Sequence, residues 1–160
     1  EAYGPGGVAI MMDIITDNKN RSVAEIRHLL SKFGGNLGES GSVSWMFDKQ
    51  GQVIIDSNNL NEEGVFEIAL EAGANDFEVD DSFYVLTTDS NRLMEVRDNL
   101  ENSGYYIRSA EIEMVPKTLH KLESEEAEVC LKLMDSLHDN DDVNKLYSNF
   151  DMNLEENIIE

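Results

Sequence analysis

The sequence is poor in the residues that most often carry catalysis or metal binding. It has one cysteine and three histidines in 160 residues, so an internal disulfide and a multi-cysteine metal site are excluded. The histidines are not spaced to hold a metal on one helix face, and no Gly-x-Ser-x-Gly elbow is present. We therefore expect a non-enzymatic protein without cofactor, metal or small-molecule substrate. Cys130 lies in an apolar helical pattern, which predicts a buried thiol.

Positive charge and long apolar runs are also scarce. Twelve Lys and Arg residues oppose 33 Asp and Glu residues, which gives a formal charge of −21. No apolar run approaches the ~18 residues of a membrane span, and no signal-peptide pattern opens the sequence. We expect a cytoplasmic protein without a membrane partner. Residues 1–50 carry five basic and six acidic side chains, whereas residues 51–160 carry seven and 27. The acidic part repels nucleic acid at long range, so nucleic-acid contacts are expected only in the first 50 residues.

One basic cluster stands out within those 50 residues. Ser22 followed by Glu25 is typical of a capping box and predicts the start of a helix. Apolar residues then recur at helical spacing, namely Val23, Ile26, Leu30 and Phe33. The candidate nucleic-acid contacts lie off this face and are Lys19, Asn20, Arg21, Arg27, His28 and Lys32. Two interpretations stay open: a solvated face that pairs with the abundant acids, or a surface that holds a phosphate backbone.

The order of predicted elements indicates an α+β protein of two domains. Residues 51–115 show the pattern βαββαβ, which is typical of a ferredoxin-like domain. The flanking segments give βαβ and αβ, and neither piece is long enough to bury its own helix and sheet. We therefore predict a discontinuous outer domain of residues 1–49 plus 117–150, an inserted ferredoxin-like domain of residues 50–116, and an acidic tail of residues 151–160.

Two local patterns give more detailed expectations. Residues 42–48 alternate in polarity, which predicts a strand with Val43, Trp45 and Phe47 on one face and a buried tryptophan. The first helix of the inserted domain is expected to open at Asn61, to stop at Gly73, and to turn four side chains inward, namely Val65, Phe66, Ala69 and Leu70.

Several longer motifs closely resemble the YebC/PmpR family, whose members include a mitochondrial translational activator of cytochrome c oxidase. The matching segments are residues 3–9, 16–28, 33–47, 69–74, 111–116 and 141–143, together with Tyr147. The resemblance implies an α+β domain inserted into a second one, preceded by a helical, lysine-rich domain. That preceding domain is absent from this sequence, and we expect a truncated or proteolysed molecule.

The resemblance implies a regulator of gene expression, either a DNA-binding transcription regulator or a ribosome-associated translation factor. The leading hypothesis is therefore a nucleic-acid partner, DNA or ribosomal RNA, contacted through the six residues of the basic cluster. A second hypothesis is an acidic interaction module whose ferredoxin-like domain docks a basic protein. A metabolite-sensing domain is a third, although no sequence motif marks a pocket.

Overall fold

The computed structural model describes residues 1–57 and 60–152. Its helices are α1 Lys19–Lys32, α2 Glu62–Ala72, α3 Leu93–Asn102 and α4 Ser124–His138. Its strands are β1 Ala2–Tyr3, β2 Ala9–Ile14, β3 Asn36–Leu37, β4 Phe47–Asp56, β5 Asp76–Val79, β6 Phe83–Asp89, β7 Ile107–Pro116 and β8 Val143–Ser148. Short 3₁₀ turns lie at Pro5–Gly7, Ser44–Met46 and Ser90–Arg92.

The chain packs into two compact units. The outer unit comprises residues 1–48 together with the chain from residue 115 onward, and the inner unit comprises residues 49–114. Each unit has its own four-stranded sheet and its own hydrophobic core. The predicted α+β class, with one ferredoxin-like unit inserted into another unit, is confirmed.

The outer unit has a sheet in the order β3-β1-β2-β8. The central strand β2 pairs antiparallel with β1 on one side and with β8 on the other. Helices α1 and α4 supply most of the other core residues, and Leu30, Cys130 and Leu133 are fully buried in one cluster with Ile10 of β2. The buried thiol predicted for Cys130 is confirmed, and burial raises its pKa to about 11.

The inner unit has a sheet in the order β5-β6-β4-β7. Helices α2 and α3 pack on this sheet, and the elements follow one another along the chain in the order βαββαβ. Strand β6 pairs antiparallel with β4 and with the edge strand β5. The helices bury Val65, Ala69, Val96 and Leu100 on Val53 and on other side chains of the sheet. As predicted, Asn61 caps α2, with its side chain accepting the Glu63 N–H, and Gly73 ends the helix in the left-handed conformation.

Three details of the predicted strand and of the predicted buried faces are wrong. Residues 44–46 form a 3₁₀ turn instead of the middle of a strand, and Trp45 is 64% exposed. On α2, Phe66 and Leu70 are 44% and 52% exposed instead of buried. On α1, Val23 is 44% exposed, because the buried stripe runs through Ser22, Ile26 and Leu30. Of the predicted acidic tail, residues 153–160 lie outside the described residues.

Candidate nucleic-acid interface

The basic cluster lies on α1, but Ser22 does not cap this helix. Asn18 is the N-cap residue, and its side chain accepts the Arg21 N–H at 3.1 Å. The helix therefore starts four residues before the position that the capping box predicts. Asn18 is itself a favoured capping residue, so the sequence offers two competing start signals and the earlier one is used. Ser22 is left inside the helix, where it is 2% exposed.

The buried Ser22 hydroxyl joins α1 to the turn between α4 and β8. Its Oγ atom donates to Asp142 Oδ2 at 2.6 Å and lies 2.7 Å from Thr16 Oγ1. The hydrogen bond from Ser22 lowers the pKa of Asp142 below its usual 3.8, and the charge of Arg21 acts in the same direction. The turn is also tied to α1 by Asn140, whose amide donates to Glu25 Oε2 at 3.3 Å.

Arg21 lies in a cluster of carboxylates instead of facing solvent alone. Its Nη2 atom is 2.9 Å from Asp17 Oδ1 and 3.5 Å from Asp142 Oδ2, and its Nε atom is 4.0 Å from Glu25 Oε1. The neighbouring charge of Asp17 raises the pKa of Arg21 above its usual value. The guanidinium lines an open acidic cleft whose other lining residues are Glu25, Asp139, Asn140, Asp141 and Asp142. The positive charge of Arg21 is thus largely balanced within the protein.

The other five predicted residues are exposed, namely Lys19, Asn20, Arg27, His28 and Lys32. Lys19 lies seven residues before Ile26 and therefore at the exposed end of the buried stripe, whereas the other four lie off that stripe. Helical spacing places Asn20 and Arg27 in one row, and His28 and Lys32 in the neighbouring row that starts at Arg21. Among the ion pairs of the described residues, none involves Lys19, Arg27 or Lys32. Lys32 Nζ lies 5.3 Å from the centre of the Phe33 ring, which is a cation–π distance. We call these five side chains the α1 outer face.

A second feature of the outer unit escaped sequence reasoning. The Glu1 carboxylate accepts the N–H groups of Ser44 at 2.7 Å and Val43 at 3.2 Å, and it also accepts that of Gly41. These bonds lower the pKa of Glu1 to about 2. They pin the turn that carries Trp45, whose Nε1–H donates to the Ser42 carbonyl at 2.9 Å. In the sequence, this turn is indicated only by the run of Gly and Ser residues before the single tryptophan.

The described residues contain no group of three or more His, Cys, Asp or Glu side chains arranged to hold a metal ion. Within the same residues, no helix is both long and apolar enough to cross a membrane.

The comparisons with known proteins identify the family. The family model described as the second and third domain of TACO1/YebC matches residues 1–150. A probable transcriptional regulatory protein of Geobacter sulfurreducens is 49% identical over 156 residues, which are 98% of this chain and 63% of that protein. One of Syntrophus aciditrophicus is 49% identical over 152 residues, which are 95% of this chain and 61% of the relative.

A solved structure is similar as well. The crystal structure of a conserved hypothetical protein from Aquifex aeolicus superimposes with a TM-score of 0.84 at 38% identity, over 94% of this chain and 62% of that one. The chain therefore spans less than two thirds of the length of these relatives. The chain belongs to the TACO1/YebC family and corresponds to its second and third domains.

Proposed function

We propose that the protein is a non-enzymatic regulator of gene expression that contacts nucleic acid through the α1 outer face. The observation that carries this proposal is the exposure of Lys19, Arg27 and Lys32 without an ion-pair partner among the described residues, in a chain of charge −21. In so acidic a protein, exposed lysine and arginine have many carboxylates to pair with. Cations that stay exposed and unbalanced together on one helix favour an external polyanion over a purely solvated face.

The first turn of α1 supports the same proposal. It contains no acidic residue and carries Lys19, which is in no ion pair among the described residues, although the positive end of the helix dipole disfavours cations there. A local arrangement that opposes helix stability is a common mark of a functional surface. The polar residue Asn20 adds a neutral donor of the kind that holds phosphate oxygens without reading bases.

The six predicted contacts divide into two roles in this proposal. Lys19, Asn20, Arg27, His28 and Lys32 contact phosphates directly. Arg21 is a positioning residue, because its guanidinium is held by Asp17 and Asp142 and fixes the start of α1 against the turn after α4.

Charge counting limits how strongly this surface binds. Three unbalanced cations release counterions from about three phosphates, so the slope of log K against log salt is about −2 to −3. That is a weak, sequence-independent contribution. The α1 outer face therefore acts as one contact among several in a larger complex, and the partner is DNA or ribosomal RNA.

The names of the relatives and the family resemblance suggest these two partners. The relatives from Geobacter and Syntrophus are named probable transcriptional regulatory proteins, which favours DNA, whereas the resemblance to translation factors favours the ribosome. A cytoplasmic site of action fits both.

Binding measurements with the full-length gene product separate the two partners. We would measure its retention on a labelled DNA duplex and its cosedimentation with ribosomes at several salt concentrations. Binding to either one that falls with salt, and falls less steeply once Arg27 is replaced by alanine, supports the proposal, and the tighter of the two identifies the partner. If neither is bound at low salt, the proposal is wrong.

A second candidate function is docking of a basic protein by the inner unit. It is favoured by the composition of residues 50–91, which include ten acidic side chains and no lysine, arginine or histidine.

A further inference from the structure

The inner unit has a shallow apolar groove between α2 and the edge strand β5. Phe66 of α2 and Val79 of β5 are 44% and 52% exposed, and Phe77 is half-buried between them. A cleft is lined by these three side chains together with Glu62 and Glu63. Leu70 lies one helical turn after Phe66 on the same side of α2 and is 52% exposed. Four large apolar side chains, two on α2 and two on β5, thus border the groove.

The floor of this groove is packed onto the hydrophobic core of the inner unit. The Phe66 and Phe77 rings meet edge to face with centres 5.6 Å apart, and Phe77 stacks on Tyr84 at 5.3 Å. Tyr84 is only 4% exposed, and its hydroxyl donates to the Leu60 carbonyl at 3.2 Å. The exposed ring of Phe66 is therefore connected through two aromatic contacts to the buried core. A preorganised apolar surface loses little side-chain entropy when it binds a partner.

The backbone of β5 has a free hydrogen-bonding edge. Among the described strands, β5 pairs with β6 only. The Asp80 N–H donates to the Phe83 carbonyl at 2.9 Å, which makes 80 and 83 a hydrogen-bonded pair. In an antiparallel ladder such pairs alternate, so the backbone groups of Phe77 and Val79 point away from β6. The Phe77 N–H is accepted at 2.8 Å by the carboxylate of Asp76, which an incoming strand would displace.

Register shows that the same two residues turn their side chains toward the helices. Phe77 pairs with Leu86 and Val79 with Tyr84, and both partners are buried on the helix-covered face of the sheet. A strand added beside β5 would therefore form backbone bonds with Phe77 and Val79 and place every second side chain against Phe66 and Leu70. Several peptide-recognition domains bind an extended peptide in this way, as an additional strand at the edge of a sheet.

The charge around the groove selects its occupant. Glu62 and Glu63 line the cleft. The exposed acidic residues Glu67, Glu78, Asp80 and Asp81 lie on the same helix, on β5 and in the turn after it, and the sequence from 50 to 91 contains no basic residue. Nucleic acid is repelled by this surface, and so is a second copy of a chain with charge −21. A peptide with alternating basic and apolar residues can pair its basic side chains with the acidic residues around the groove and pack its apolar side chains into the groove.

We propose that the groove between α2 and β5 binds an extended basic segment of a partner protein as an additional strand. This inference rests on the second candidate function, since it assigns the surface and the binding mode. It is independent of nucleic-acid contact by the α1 outer face.

The test uses fluorescein-labelled octapeptides in which lysine or arginine alternates with valine or leucine. Their binding to the whole chain is measured by fluorescence anisotropy. Two further peptides carry backbone N-methyl groups on alternate residues, in one register or in the other. Strand addition predicts that one methylated register binds at least about tenfold more weakly, whereas the other binds like the parent peptide. A control peptide with glutamate at the basic positions is expected not to bind.

Variants locate the site. We expect Phe66→Ala to weaken binding about tenfold, as the loss of a central apolar anchor does. Glu63→Gln and Glu78→Gln together are expected to reduce the salt dependence. The matched controls lie on α3: Met94→Ala removes a side chain that is 54% exposed, and Glu101→Gln removes an exposed charge. Both controls should bind like wild type.

Four outcomes would overturn the inference. Equal binding of both methylated peptides, or no effect of Phe66→Ala, would leave an acidic docking module with another binding mode. No binding of any basic peptide would remove the docking function as well. Concentration-dependent dimerisation in sedimentation experiments that Phe66→Ala abolishes would assign the groove to a second copy of the chain.

Discussion

The Ser22 hydroxyl donates to the Asp142 carboxylate at 2.6 Å, and the two residues are 120 positions apart in the sequence. This bond fixes the rotation of α1 about its own axis, because it holds one side of the helix against the turn between α4 and β8. Arg27, His28 and Lys32 lie off the buried stripe of this helix and are exposed. The orientation of the proposed nucleic-acid surface thus depends on a buried polar contact as well as on apolar packing.

We expect Ser22→Ala to lower the free energy of unfolding by about 1–3 kcal/mol, because it leaves a partly buried carboxylate without its closest donor. Urea denaturation measures this change. Ser31→Ala is the matched control, since Ser31 is an exposed serine of the same helix, and it should change stability by less than about 0.5 kcal/mol. Equal effects of the two substitutions would show that the Ser22–Asp142 bond is not important for stability.

The turn before β4 should respond to acid through Glu1. Its pKa is about 2, below the ordinary 4.5, so the ionised form is favoured in the folded protein. The stabilisation is therefore fully present above pH 4.5 and is lost as the pH falls toward 2. Trp45 is the only tryptophan, so its fluorescence reports on this turn. Wild-type emission should stay constant between pH 7 and 4.5 and change as the pH falls toward 2.

Glu1→Gln completes that experiment. The amide cannot carry the charge that the three N–H groups stabilise, so the variant should show the changed emission already at pH 7. Emission of the variant that matches wild type at every pH would contradict the role assigned to Glu1.

Replacement of two glycines by alanine should change the stability of the protein in opposite directions. A Cβ on Gly35 would lie against the Tyr3 carbonyl oxygen, closer than atoms can approach, whereas a Cβ on Gly64 has open space around it. We expect Gly35→Ala to destabilise the outer unit by more than about 1 kcal/mol. Gly64→Ala, inside α2, should stabilise the inner unit by about 0.5–1 kcal/mol. Thermal unfolding of both variants checks the signs, and a stabilising Gly35→Ala would contradict the packing of β1 and β3.

The inserted domain predicted from the sequence should fold by itself. The core of the inner unit draws all its buried residues from positions 53–100. A fragment of residues 49–114 should therefore unfold cooperatively in urea, with a stability of only about 3–5 kcal/mol because so small a core is marginal. Leu86→Ala, at a fully buried position, should abolish the transition. A fragment with no cooperative transition would mean that the inner unit, residues 49–114, is not an independent domain.

Local and periodic signals in the sequence predicted most of the fold. Gly73 and Asn61 mark the ends of α2 through backbone chemistry that acts within a few residues. The βαββαβ order followed from element type alone, and the insertion followed because the flanking pieces are too small to form cores. The family membership was predicted from its motifs and is confirmed.

The errors arose where a distant residue decides. Ser22 is a good capping residue in isolation, but it is buried because Asp142 provides a partner that the local sequence does not show. The Trp45 turn is held by the carboxylate of Glu1, more than 40 residues away. Phe66 and Leu70 follow the helical pattern of core residues, yet they lie beside an edge strand, and edge position depends on sheet order. Likewise, the positive charge of Arg21 did not reveal from the sequence whether this residue pairs with Asp17 and Asp142 or contacts phosphate.

The most direct test of the proposed function is the salt dependence of nucleic-acid binding by the full-length protein with Arg27→Ala and Lys32→Ala. The slope is measured with the nucleic acid that the protein binds, duplex DNA or ribosomal RNA. Each substitution should make the slope of log K against log salt shallower by about 0.7–0.9. Lys132→Ala, an exposed lysine of α4, should leave the slope unchanged, and Arg21→Ala should change it less than Arg27→Ala. Slopes for Arg27→Ala and Lys32→Ala that equal the wild-type slope would show that the α1 outer face does not contact nucleic acid.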